Sequence, residues 1–198
     1  MHKKIDRVLR YIDDSSLREV IENIMSLHHN TFIYEPAGCG THHAYKGGLL
    51  DHSVSTALLA ESIADRYVES NQRLNKSLIV AGAFLHDIGK VKCYTYDKSA
   101  EEFRSTQKSR LHHHIPIGFH IVATQVEILV DRYKMDEALA DNLLHIIVSH
   151  HGRVEYSSPR APITDEAFIV SQADLIDAYM GAPLDRKKTF NQSQARES

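Results

Sequence analysis

With 198 residues, 42% hydrophobic and 25% charged, the chain is long enough for one well-filled core, or two small ones, and has the composition of a soluble globular protein. Its formal net charge of −3 excludes the global basic field that holds proteins on long nucleic acid. No apolar stretch approaches the roughly 20 residues of a membrane-spanning helix, and two cysteines, Cys39 and Cys93, are too few for a disulfide framework, which points to a reducing cytoplasm.

A polar start without a signal-peptide pattern passes into helical spacing at Ile5, Val8, Leu9 and Ile12. A second helix is expected from Ser16, where Ser16-Leu17-Arg18-Glu19 has the form of a capping box, so residues 1–29 read as N-terminal helices. Pro36, Gly38 and Gly40 mark residues 30–46 as a loop, which carries Cys39, His42 and His43. From Gly47 to about Ser70, apolar residues at helical spacing predict a long buried helix, with His52 sharing the face of Leu49 and Leu59. Asn75 or Ser77 is expected to cap the next helix, whose apolar run Leu78 to Leu85 ends in His86-Asp87-Ile88-Gly89-Lys90, with a stop near Gly89. Residues 91–110 read as a short hairpin or loop, an insertion near 92–108. Its basic cluster (Lys92, Lys98, Arg104, Lys108, Arg110) is ordinary for a solvated loop.

Leu111 to about Tyr133 is predicted helical, opening with His112-His113-His114. In the next helix, Asp136 to His150, the stripe Leu139, Leu143, Ile146 continues into His150, with His151 alongside, and Gly152 ends it. After a rigid Ser157–Pro162 loop, Thr164 caps a last helix in which Ala167, Val170, Ser171, Asp174 and Ala178 share a face. Residues 182–198 form a polar tail expected to be flexible. Strands are scarce, and the fold class is all-α.

Fourteen histidines and no tryptophan are the compositional anomaly. A histidine and an aspartate at the end of an apolar run cost several kcal/mol to bury unless something pairs with them. Each of His52, His86, Asp87, His114, His150, His151 and Asp174 has an ordinary explanation alone, a core histidine or a capping aspartate. Seven on the inner faces of five helices call for one cause, and metal ligation is the economical one.

The spacing of His52, His86-Asp87 and Asp174 resembles the HD superfamily of metal-dependent phosphohydrolases, which implies a single helical bundle over residues 1–181. Thr41-His42-His43-Ala44-Tyr45-Lys46-Gly47-Gly48-Leu49-Leu50-Asp51-His52 resembles the opening of the HD domain in YhaM-type 3′-to-5′ exoribonucleases. Ser149-His150-His151-Gly152, Ser158-Pro159 and Asp174-Leu175-Ile176-Asp177-Ala178 resemble that family's later signatures, and the likeness covers about residues 32–180. Those enzymes carry an OB-type nucleic-acid-binding domain ahead of the HD domain; none is expected here, which argues against processive degradation of long RNA.

By that resemblance Asp87 bridges two divalent ions (Mn, Fe, Mg, Co, Ni or Zn). His52, His86 and Asp174 complete one site, and His114, His150 and His151 the other. His112 and His113 are the alternatives to His114. Gly48 stands where related dinuclear proteins can place an extra glutamate, so a third ion is not expected. Two such ions activate water and clamp a phosphate, with Asp87 as proton acceptor. Lys90 either meets a phosphate oxygen or satisfies the helix dipole. His42 and His43 either line the cleft or bond to loop backbone. Arg110 and Arg153 are weaker phosphate contacts. The expected function is a phosphodiesterase acting on a nucleotide or short oligonucleotide, exoribonuclease-like. The alternatives are a 5′-nucleotidase-type phosphomonoesterase, a di-iron HD-fold oxygenase and, least, a binding module that has lost catalysis. Nothing in the sequence speaks against a homo-oligomer.

Overall fold

The computed structural model describes residues 3–70, 73–132 and 134–182; Met1, His2, Asn71, Gln72, Tyr133 and the tail from residue 183 on lie outside them. Among the described residues there are eight α-helices and one two-stranded hairpin, an all-α bundle with a short insertion. The helices are α1 (Lys3–Leu9), α2 (Ser15–Phe32), α3 (Gly48–Tyr67), α4 (Lys76–Leu85), α5 (Gln107–His112), α6 (His114–Asp131), α7 (Glu137–Ser149) and α8 (Asp165–Gly181). No described helix is long and apolar enough to cross a membrane.

Helix α4 is the centre. Every residue from Leu78 to Leu85 is buried, because α4 is packed by α2, α3, α7 and α8. A helix apolar on all sides is stable only when surrounded, and each of its large side chains contributes roughly 1.5–3 kcal/mol of burial. Gly82 permits the crossing with α7: a Cβ there would lie 2.7 Å from the Ile146 side chain. Asn75 caps α4 through the Leu78 N–H, and Glu166, in the first turn of α8, accepts from the Asn75 backbone N–H at 3.0 Å.

Several boundaries differ from the sequence expectation, each for a local reason. The N-cap of α2 is Asp14, whose carboxylate accepts from the Ser16 and Leu17 N–H groups; Ser16 lies inside the helix, so the expected capping box is not the start. The same helix continues to Phe32 because that side chain is fully buried against Phe84, with ring centroids 5.3 Å apart. The α-helical part of α4 ends at Leu85, and a 3-10 turn follows over Ile88–Lys92. Gly89 is therefore no helix cap. It is a close-approach residue, since a Cβ would sit 2.0 Å from the His114 carbonyl oxygen and 2.6 Å from the Gly118 nitrogen. The helix expected to begin at Leu111 is two helices, broken at His113 with φ 61° and ψ 158°. The hairpin pairs β1 (Tyr94–Asp97) with β2 (Glu102–Ser105) antiparallel, Tyr96 opposite Phe103.

Candidate metal centre

Four side chains from three helices meet at the C-terminal end of α4. His52 comes from the inner face of α3, His86 and Asp87 follow α4, and Asp174 comes from the inner face of α8. His52 Nε2 lies 3.1 Å from His86 Nε2 and 3.1 Å from Asp174 Oδ1. Asp87 Oδ2 is 3.4 Å from each of the two imidazole Nε2 atoms, and Asp174 Oδ1 is 3.5 Å from His86 Nε2.

The outer hydrogen bonds assign the tautomers. His86 Nδ1 lies 2.6 Å from the Ala83 carbonyl oxygen, and His52 Nδ1 lies 2.7 Å from Asp177 Oδ2. Both outer partners can only accept, so each ring carries its proton at Nδ1 and, when neutral, turns a lone pair inward. Four acceptor atoms then face one another with no donor among them. A divalent cation makes every one of those contacts attractive, and two nitrogens with two carboxylate oxygens are an ordinary donor set for one.

A second group lies on the other side of Asp87. Its Oδ1 is 3.2 Å from His114 Nε2 and 3.8 Å from His150 Nε2, and all three atoms are buried without a hydrogen-bond partner. His150 Nδ1 donates to the Ile147 carbonyl at 2.8 Å, and His151 Nδ1 to the Tyr156 carbonyl at 2.7 Å. Their Nε2 lone pairs are thereby turned inward, and one ligand atom from each of His114, His150 and His151 lies within 4.8 Å of the others. Orphaned buried nitrogens beside an orphaned carboxylate oxygen fit a second cation. The contact of Gly89 with Gly118 is what brings α6, and so His114, against Asp87. His112 is exposed, and His113 stacks on His114 with centroids 4.2 Å apart.

Burial opposes charge on His52 and His86, yet the surrounding carboxylates outweigh it and raise both, His86 to about 9. Burial would raise Asp87, but the Lys90 cation and His86 hold it well below the usual carboxylate range. Burial drives His114 well down and, with His151 and His86 nearby, lowers His150 to about 3. The carboxylates thus favour protons on His52 and His86 where a cation would sit, and burial keeps His114 and His150 in the neutral form that ligates.

The other expected site residues divide. Lys90 is buried with Nζ 2.5 Å from Asp87 Oδ2, so it addresses the carboxylate. His42 Nε2 is buried without a partner, its ring 4.8 Å from that of His52, and burial lowers it to about 3. His43 is engaged at both nitrogens, by Asp177 Oδ2 at 2.9 Å and the Tyr45 hydroxyl at 3.0 Å. Arg153 is exposed and shares with His151 a cavity of about 320 Å³. Arg110 is exposed, and its guanidinium donates to the Ser105 carbonyl, 2.7 Å, at the base of the hairpin. Sequence reasoning missed Asp177, which orients His52 and is itself held by His43. The available signal was its position three residues after Asp174, on the same helical face.

Residues 49–179 match the HD domain family. The chain belongs to the HD domain family. Membership of that family supports a metal-dependent hydrolase. A 3′-5′ exoribonuclease YhaM of Listeria monocytogenes serotype 4b is 33% identical over 178 residues, 88% of this chain and 53% of that protein. The protein of the same name from Bacillus subtilis is 31% identical over 182 residues, 90% of this chain and 54% of that one. The chain therefore spans about half the length of the curated relatives it matches. Among solved structures, the HD domain of L. monocytogenes phosphodiesterase PgpH is 22% identical, with 80% of this chain and 72% of that one covered and a TM-score of 0.40, a likeness too slight to carry an argument.

Proposed function

We propose that this HD protein is a phosphodiesterase that holds two divalent ions and hydrolyses short RNA or nucleotides from the 3′ end. The observation that carries the reading is Asp87, whose two oxygens face two separate ligand groups, His52, His86 and Asp174 through Oδ2 and His114, His150 and His151 through Oδ1. When bound, such a pair of ions supplies Lewis acidity and a water of lowered pKa. The exoribonuclease activity of the YhaM relatives supports the substrate class, and the net charge of −3 favours a short substrate, because long RNA needs a basic track.

The chain's own residues have distinct tasks. Lys90 keeps Asp87 anionic and fixes its orientation, which suits the carboxylate to hold cations. His42, neutral with its Nε2 unpartnered beside His52, and Arg153, which lines a cavity with His151, are the side chains assigned to contact the phosphate. His43 acts through Asp177 on His52. A cytoplasmic setting goes with the reading, supported by two free thiols, Cys39 and Cys93.

The test is a 5′-labelled RNA of a few nucleotides incubated with protein and Mn²⁺. Stepwise shortening from the 3′ end with release of nucleoside 5′-monophosphates is expected. Inorganic phosphate from mononucleotides alone would make the protein a phosphomonoesterase, and no phosphate chemistry with any added ion would overturn the reading.

A further inference from the structure

A cavity of about 670 Å³ lies between the loop that precedes α3 and the hairpin, with Tyr34, Tyr45, Tyr96 and Phe103 on its walls. The hairpin register fixes Tyr96 directly opposite Phe103, and their rings meet edge to face with centroids 5.1 Å apart. Phe103 in turn meets Tyr34 at 5.8 Å. Lys46 lies over the Tyr34 ring, 4.4 Å from its centroid. Two of these rings remain substantially in water, Tyr45 at 48% and Tyr96 at 39% exposure. Large aromatic faces left wet around one cavity are the surface on which planar groups stack.

The cavity is tied to the metal centre. Tyr45 bonds through its hydroxyl to His43 Nδ1 (3.0 Å), His43 bonds through Nε2 to Asp177 (2.9 Å), and Asp177 accepts from His52 (2.7 Å). A wall of the cavity is thus three hydrogen bonds from a ligand side chain. Glu101 and Glu102 lie on the hairpin side, and their negative charge repels phosphate. With the Lys46 cation seated on the Tyr34 ring, the exposed aromatic faces suit a flat, uncharged, aromatic occupant.

We infer that this cavity binds a nucleobase of the substrate, stacked on Tyr96 and Tyr45, while the phosphate lies at the metal centre. The inference rests on the proposed phosphodiesterase reading and adds the base-recognition site to it. Base contacts through stacking tolerate different sequences, and the site selects nucleotides over other phosphodiesters.

Calorimetric titration of the metal-loaded protein tests it, using a dinucleoside with a non-hydrolysable, anionic methylene phosphonate link and its abasic counterpart. The bases are expected to improve affinity about tenfold or more. Tyr96→Ala should abolish the difference between the two compounds, and Tyr96→Phe should retain it. Saturation-transfer NMR on the wild-type protein guards against a variant that fails to fold: the base protons, more than the ribose protons, should receive magnetisation. Equal affinity for the two compounds, an unchanged difference in Tyr96→Ala, or saturation confined to the sugar would overturn the base site. If those results came with RNA hydrolysis intact, the base site alone would fall; absence of RNA hydrolysis would remove the reading beneath it.

Discussion

Asp177 shows how a residue outside the ligand set controls it. Its carboxylate accepts from His52 Nδ1, which sets the tautomer and aims Nε2 at Asp87 and Asp174. Outer-shell partners of this kind typically contribute 10–100-fold to metal affinity. Asp177→Asn should weaken binding at the His52 site by about that factor in chelator competition, with little change in thermal stability; unchanged affinity would show that the bond is incidental. Asp177 was hard to read from sequence because it resembles any exposed aspartate near a helix end, whereas His52, His86 and Asp174 announced themselves by chemistry and spacing together.

Glu35 is a second informative residue. It is buried with Oε2 unpartnered, and burial raises its carboxyl from 4.5 to about 7. Between those values the folded state holds a proton that the unfolded chain has released, so stability falls as pH rises through this window and levels off above it. Glu35→Gln should therefore stabilise the protein on the order of 2 kcal/mol at pH 8, with the gain vanishing near pH 4. A gain independent of pH in denaturant titrations would contradict this ionisation.

At the scale of elements, the centre depends on where helices stop. Ending α4 at Leu85 and starting a 3-10 turn aims Asp87 at both ligand groups, and the break at His113 lets α6 begin with His114 at the cluster. Neither break was legible, because both are imposed by the packing of Gly89 on the first turn of α6; in sequence Gly89 looks like an ordinary helix terminator and the three histidines like one helical run. The helices themselves were legible, since their apolar residues repeat at helical spacing. Gly89→Ala would put a Cβ 2.0 Å from the His114 carbonyl oxygen. Relieving that clash against backbone should cost about 1–3 kcal/mol and shift His114 away from Asp87. The expected outcome is a lower unfolding midpoint together with reduced occupancy at the His114 site; full occupancy in a stable variant would show that the tight contact does not position the ligand.

At the scale of the molecule, five helices or their ends contribute to one centre, so the ligand set exists only when the bundle is assembled. At −3 overall, the proposed ions would be where attraction for phosphate is concentrated. The decisive quantity is the number of ions held per chain. Elemental analysis of protein saturated with Mn²⁺ and freed of excess should give close to two ions per chain in the wild type. Asp87→Ala, which removes the shared carboxylate, should bind fewer and lose RNA hydrolysis. One ion per chain at saturation, or an Asp87→Ala protein that keeps both ions and its activity, would contradict a dinuclear centre bridged by Asp87.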